Sequence, residues 1–201
     1  MKPKKKKVKR ERLQENPYRA FLECFSCCVK EVQDELKEKI RTIGRPEYIC
    51  GKKVPENLNM ISYGVLDRLS RLDKSDDAAA DAVSIVMEIP RQEVYDIDVN
   101  EVIGFFNFVS REVKRINDLF TEIKLDYSAE EITAGIENMS FGSFGVLDWY
   151  AKRMGVTNQN DVYNIAWVRI YNCMKIDNQK ELFRRRLDKV YSEKIKNRNG
   201  R

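Results

Sequence analysis

The sequence predicts an all-α protein, a helical bundle with two related helix-turn-helix units. Three observations predict it. Apolar residues recur at i, i+3, i+4 and i+7 spacing along most of the chain, and the best alternating pattern, Glu47 to Cys50, is short. Residues that start and stop helices sit at the borders of these apolar runs. A twelve-residue segment also occurs twice, 81 positions apart. Glu56-Asn57-Leu58-Asn59-Met60-Ile61-Ser62-Tyr63-Gly64-Val65-Leu66-Asp67 lines up with Glu137-Asn138-Met139-Ser140-Phe141-Gly142-Ser143-Phe144-Gly145-Val146-Leu147-Asp148, with seven of the twelve positions identical. With one gap, Asp81-Ala82-Val83-Ser84-Ile85-Val86 resembles Asp161-Val162-Tyr163-Asn164-Ile165-Ala166. Such a repeat predicts two helical pairs, each burying a similar apolar face.

The elements follow in order. The like charges of Lys2 to Arg12 repel one another, so 1–16 reads as a disordered basic tail. Pro17 suits a first helical turn. From Tyr18 to Ile43 the residues Phe21, Phe25, Cys28, Val32, Leu36 and Ile40 hold helical spacing, which predicts one helix ended by Gly44 and Pro46. An irregular connection closes this 17–54 segment. The first repeat unit spans 55–127. Ser62 predicts an N-cap for a helix with Val65, Leu66, Leu69 and Leu72. Asp76 or Asp77 caps a second helix through Ala79, Val83, Val86 and Met87, stopped by Pro90. Val94 to Ile97 reads as a link, and Asn100 precedes the longest apolar stripe, Val102 to Ile123. The second repeat unit spans 128–201. A short helix after Ser128 holds Ile132 and Ile136. Gly142 and Gly145 flank a helix with Val146, Leu147, Tyr150, Ala151 and Met154, and Gly155 stands at its C′ position. Asp161 opens a helix through Tyr171. Asp177 caps a final basic helix with Leu182, Phe183, Leu187, Val190 and Tyr191.

A chain of 201 residues can bury a core without disulfide staples, as one domain or two small ones. No apolar run approaches the roughly 18 residues of a membrane span. No secretory apolar stretch follows the basic N-terminus, so a soluble intracellular protein without a membrane partner is expected. The net charge of +5 is unevenly spread. Residues 1–12 hold eight Lys/Arg against one acid, and residues 180–201 hold nine against three. The 20 basic and 28 acidic residues that remain make 13–179 acidic. Basic ends of this kind meet polyanions by neutralising phosphates, or serve as solubilising tails.

Histidine is absent. That removes His-based general base catalysis, His metal ligands and Ser/His or Cys/His nucleophile pairs, and it argues against an enzyme. Cys24, Cys27 and Cys28, with Cys50 beyond, are the thiols a zinc site would use, but they lack two-plus-two spacing. Cys28 shares the face of Phe21, Phe25 and Val32, which reads as small core residues. Redox chemistry is the other reading of the cluster. Asp67 and Asp148 share one repeat position and fit helix-dipole stabilisation better than an acid–base pair. Gly64 and Gly145 belong to no phosphate-cradling pattern. No cofactor is expected.

Two groups of binding residues stand out. Lys4, Lys5, Lys6, Lys7, Lys9 and Arg10 form a run suited to nuclear localisation, nucleic acid or an acidic partner surface, without interleaved aromatics for base stacking. Arg184, Arg185 and Arg186 form a second, helical basic patch, a solvated or interface face. Trp149, Tyr150, Trp167 and Tyr171 are either core residues or partner anchors, as Trp and Tyr are enriched in binding hot spots.

A resemblance follows from these residues. Asn59-Met60-Ile61-Ser62-Tyr63-Gly64-Val65-Leu66-Asp67, then Ala82 to Met87, Pro90-x-x-Glu93-Val94, Val99-x-x-Val102 and Phe105 to Phe108, resembles small helical proteins of tailed bacteriophages, of the tail-assembly chaperone type. The block Phe144 to Tyr150, through Asp177-x-Gln179 to Arg186, is similar to other phage morphogenesis proteins. The resemblance covers 58–191 and brings no catalytic motif. The Lys-rich start and the Cys-rich first helix depart from it. It implies a non-enzymatic assembly or virion protein in the virion or host cytoplasm. The partners would be tail, portal or other virion proteins, with DNA reached through the basic ends, and an oligomer compatible with the reading. The alternative function is a nucleic-acid-binding accessory protein that uses its basic termini.

Overall fold

The computed structural model describes residues 16–123 and 127–199. The chain is all-α, as the periodicity predicts. Its helices are α1 (Tyr18–Cys27), α2 (Lys30–Thr42), α3 (Tyr63–Leu69), α4 (Ala78–Met87), α5 (Arg91–Val94), α6 (Val99–Thr121), α7 (Ala129–Thr133), α8 (Gly142–Met154) and α9 (Trp167–Asn199). Short 3-10 turns cover Leu72–Lys74, Ile136–Asn138 and Gln159–Asn164, and one antiparallel hairpin pairs β1 (Tyr48–Ile49) with β2 (Lys52–Lys53). Two compact units result. The first comprises residues up to Leu58 and Asp67–Lys114; the second comprises Asn59–Leu66 and the chain from Arg115 onward.

In the first unit the buried set comes mainly from α4 (Ala79, Ala80, Ala82, Val83) and the first part of α6 (Val102, Phe105, Val109). Asp77 caps α4, its carboxylate accepting from Ala80 N at 3.1 Å. The same Oδ1 accepts the Tyr18 hydroxyl at 2.9 Å, which ties the start of α1 to the start of α4. Backbone bonds from Tyr18 N to Ile97 O (2.8 Å) and Arg19 N to Tyr95 O (3.0 Å) hold the entry of α1 as well. The end of α2 is held by α6. Asn107 Nδ2 donates to Ile40 O at 2.7 Å and Ile43 O at 3.1 Å, satisfying carbonyls that a helix end leaves orphaned. One turn earlier, Gly104 lets the Gly44 carbonyl come so close that a Cβ there would strike it. The hairpin turns through Cys50 (φ 47°) and Gly51 (φ 72°), two successive left-handed residues as a type I′ turn requires. Lys52 Nζ then donates to Met87 O (2.8 Å) and Glu88 O (3.1 Å) at the end of α4, where a cation suits the helix dipole.

Three elements here differ from the periodicity. The predicted helix Tyr18–Ile43 is two helices, because Cys28 and Val29 are extended (ψ 147° and 157°). The Gln33 side chain stabilises the break by donating to Phe25 O (3.0 Å) and Cys28 O (3.1 Å). Pro90 both ends one helix and begins another, since Arg91–Val94 coils where a link was expected. The long helix starts at Val99, not after Asn100, because Asp98 Oδ1 accepts from Asn100 N at 2.9 Å.

In the second unit, two distant segments start two helices together. Tyr63 N donates to Ile165 O at 2.7 Å, and Trp167 N donates to Ile61 O at 3.3 Å. The first N–H of α3 and the first of α9 are thus each satisfied by the carbonyl preceding the other helix. Ser62 adds the expected cap, its Oγ accepting from Val65 N at 3.3 Å. Gly64 permits this approach, since a Cβ there would lie 3.1 Å from both Cβ and O of Tyr163. The core around the junction holds Trp167, Leu147, Tyr150, Val162 and Ile170, with Phe120 against Trp167 and edge-on to Tyr171 at 5.6 Å. Ser128 and Glu131 form a capping box on α7, and α8 ends on the left-handed Gly155 (φ 68°).

The two repeat copies agree in part. Gly-Val-Leu-Asp is helical in both, Leu66 and Leu147 are buried, and Asp67 and Asp148 each pair with a cation four residues on, Arg71 at 2.8 Å and Lys152 at 2.7 Å. The aromatic position diverges, with Tyr63 buried and Phe144 exposed. Asp81–Val86 lies in α4, while its counterpart is the 3-10 turn and the extended Ile165. The last two predicted helices are one. No Gly or Pro interrupts 167–199, and Asp177 lies inside α9, its carboxylate held by Arg153 at 2.8 Å instead of capping a helix.

Two outcomes are expected. Gly104→Ala lowers stability by about 1–3 kcal/mol in chemical denaturation, because backbone must move to admit the methyl group. Burial, then the Asp77 carboxylate, raises the Tyr18 phenol well above its ordinary 10.0. The folded state therefore favours neutral Tyr18, and that contribution is complete below pH 10 and lost as pH climbs above it. Unfolding midpoints measured upward from about pH 9 fall steeply for the native chain and less steeply for Tyr18→Phe.

Candidate functional site

The end of α9 is the feature that the fold leaves without a packing role. Its first turns are buried through Trp167 and Ile170, and Arg185 is half-buried. From Arg186 to Asn197 every residue is exposed. Twelve residues at 1.5 Å each make a helical arm about 18 Å long, exposed at every one of these positions. Isolated helices of that length are marginal in water, so this arm depends on the covered part of α9 for its helicity. One side of it is apolar. Phe183, Leu187, Val190, Tyr191 and Ile195 are spaced at i, i+4, i+7, i+8 and i+12, which puts them on one face, and all are between 37% and 60% exposed. Lys180 and Lys194 lie along the same stripe. Over 180–197 seven basic residues stand against three acids.

The arginine triplet divides by environment. Arg185 is engaged: its guanidinium donates to both oxygens of Glu131, at 3.1 and 3.0 Å, and to Glu181 at 3.0 Å. These carboxylates hold its pKa above the ordinary guanidinium value. Glu131 in turn lies below its ordinary value, through the Ser128 N–H first and Arg185 second. Arg185 therefore braces α7 against α9. Arg184 and Arg186 are exposed, Arg184 with a long contact to Glu181 at 3.4 Å and Arg186 donating to Leu182 O within its own helix. They are available to a partner. The run Lys4, Lys5, Lys6, Lys7, Lys9 and Arg10 lies outside the described residues.

The four aromatics also divide. Trp167 and Tyr150 are 1% and 2% exposed, which makes them core and corrects their reading as partner anchors. Trp149 and Tyr171 are half-buried, with Arg153 and Lys175 lying 6.0 and 5.9 Å from their ring centres. Sequence inspection overlooked Val190, Tyr191 and Ile195 as a surface, since a helical apolar stripe reads as core. The signal available was the seven cations that flank and interrupt it.

The thiols form no core. Cys24, Cys27 and Cys50 are exposed and Cys28 is half-buried, because the break after Cys27 turns the chain away from the continuous face expected. Among the described residues no group of three or more Cys, Asp or Glu is placed to hold a metal ion. An open cleft of about 530 Å³ beside the end of α8 is lined by Gly155, Asn158, Gln159 and Asn160, with Lys152 its one ionisable group. No helix among the described residues is long and apolar enough to cross a membrane. Comparison with known proteins finds no matching family model, curated protein or solved structure.

Arg185→Gln is expected to lower the unfolding midpoint, and the loss shrinks as salt screens the native ion pairs. Arg184→Gln and Arg186→Gln leave the midpoint in place in the same thermal melts.

Proposed function

We propose that this chain is a non-enzymatic binding protein of bacteriophage assembly, acting in tail or head–tail morphogenesis through protein–protein contact. The exposed end of α9 carries the reading. A soluble chain gains nothing from holding five large apolar side chains in water along one face, whereas a partner that covers them gains on the order of 1 kcal/mol for each side chain whose remaining surface is buried. Phe183, Val190 and Tyr191 are the anchors, and Arg184, Arg186 and Lys194 steer an acidic surface toward them. The resemblance of 58–191 to tail-assembly and other morphogenesis proteins supplies the partner class, a tail, portal or other virion protein. The absence of histidine supports a role without catalysis.

Quantitative mass spectrometry of particles and of infected cells tests this. A fixed copy number in the virion makes the chain a structural component. Presence only in cells, in complex with a tail or head–tail protein, makes it an assembly chaperone. In either case Val190→Asp with Tyr191→Asp removes the association by tenfold or more, roughly 1.4 kcal/mol, and leaves the unfolding midpoint unchanged. Absence from both, with DNA affinity that falls steeply with salt and disappears on deletion of residues 1–12, replaces it with the nucleic-acid reading.

A further inference from the structure

The same unit that carries the basic, apolar arm also carries its opposite. Residues 127–148 contain no Lys or Arg and hold Glu130, Glu131, Glu137 and Asp148. They expose large apolar side chains as well: Tyr127, Ile132, Met139, Phe141 and Phe144 are between 44% and 67% exposed. Glu130 and Glu137 make no ion pair among the described residues, and neither do Lys180, Lys189, Lys194 and Lys196. One contact between the two segments already exists within the chain, the paired hydrogen bonds of Arg185 to Glu131. Just past that contact α9 runs on uncovered. The arm is a continuous helix leading away from Arg185, so it cannot bend back to engage the rest of 127–148 in its own chain.

We infer that the occupant of the arm is a second copy of this chain, the end of α9 in one copy docking on the acidic, apolar 127–148 segment of the next. The inference rests on the reading of α9 as a binding arm and names its partner. Charge decides between the ways two copies can meet. Arm against arm sets the four cations and two acids of 186–197 against the same set, which repels; arm against 127–148 sets cations against a segment with acids alone. Because the two surfaces differ, the contact is head-to-tail. Each copy keeps one free arm and one free acceptor, and association continues until a ring closes or a filament grows.

Sedimentation velocity on the full chain tests it, with two double variants at exposed positions. Val190→Asp with Tyr191→Asp disables the arm, and Phe141→Lys with Phe144→Lys disables the acceptor. At about 0.05 M salt the native chain sediments as an assembly larger than a dimer, which shrinks as salt is raised to about 0.5 M. Each variant alone is a monomer. An equal mixture of the two gives a one-to-one heterodimer and nothing larger, since one intact arm meets one intact acceptor. A monomeric native chain at about 100 μM overturns the inference at the level expected of a weak interface. So does an acceptor variant that assembles like the native chain, or a mixture that stays monomeric. Should either double variant lose its fold by circular dichroism, Glu137→Lys and Lys194→Glu repeat the design by charge alone: each weakens assembly about tenfold and their mixture recovers it in part. A monomeric native chain whose arm variant still loses a tail or portal protein sinks this inference and leaves the proposed function standing.

Discussion

Two backbone hydrogen bonds organise the second unit. Tyr63 N reaches Ile165 O and Trp167 N reaches Ile61 O, so two stretches a hundred residues apart begin their helices against each other. Helix N-termini ordinarily leave N–H groups that side chains or water must satisfy. Here each helix start satisfies the other, and a Cβ at Gly64 would press on Tyr163 at 3.1 Å, so the neighbour would have to give by a few tenths of an ångström. The consequences spread outward. Trp167 is placed in the core beside Phe120, residues 59–66 become part of the second unit, and α9 leaves the junction in a fixed direction. Arg153 to Asp177 and Arg185 to Glu131 then brace α9 further along, at 2.8 and 3.0 Å. These ion pairs are half-exposed and modest individually. Their value lies in position, since they mark the last points at which the fold holds the helix.

Charge is distributed to match. Residues 13–179 are acidic on balance and the two ends of the sequence are basic. Three arginines find carboxylates: Arg91 lies within reach of Asp76 and Asp81, Arg153 of Asp177, and Arg185 of Glu131 and Glu181, while half-buried Arg45 donates to the Val54 and Pro55 carbonyls. On the arm, Arg186, Lys189, Lys194 and Lys196 make no ion pair among the described residues. A surface that is both apolar and cationic is selective, because desolvating its lysine and arginine heads is offset only where acids await them.

Local chemistry was legible in the sequence. Asp77 and Ser62 cap the helices they were expected to cap, Gly155 ends α8 in the left-handed conformation, and the stripe of α6 is buried at Val102, Phe105, Val109 and Ile116, with Val113, Leu119 and Phe120 half-buried. What escaped inspection depends on partners far away in the chain. Asp177 carries every mark of a cap, but Arg153, 24 residues earlier, takes its carboxylate, and the helix passes through. The break at Cys28 and Val29 has no Gly or Pro to announce it; it exists because the Gln33 amide can satisfy the freed carbonyls. The candidate site was half legible. The Arg184–Arg186 cluster was visible as charge, but only exposure separates Val190 and Tyr191, which stand in solvent, from Trp167 and Tyr150, which do not.

The continuity of α9 also constrains how this chain can change over evolutionary time. In a helix without a hinge, the direction a residue faces is set by counting from the base, at about 100° per position. An insertion or deletion of a single codon anywhere between Trp167 and Phe183 would swing the apolar stripe by that angle and push charged residues into its place. Changes of about seven or eleven residues nearly restore the phase and lengthen or shorten the reach instead. The spacing between Trp167 and the arm therefore fixes which way the apolar stripe faces more firmly than does the identity of most residues within it.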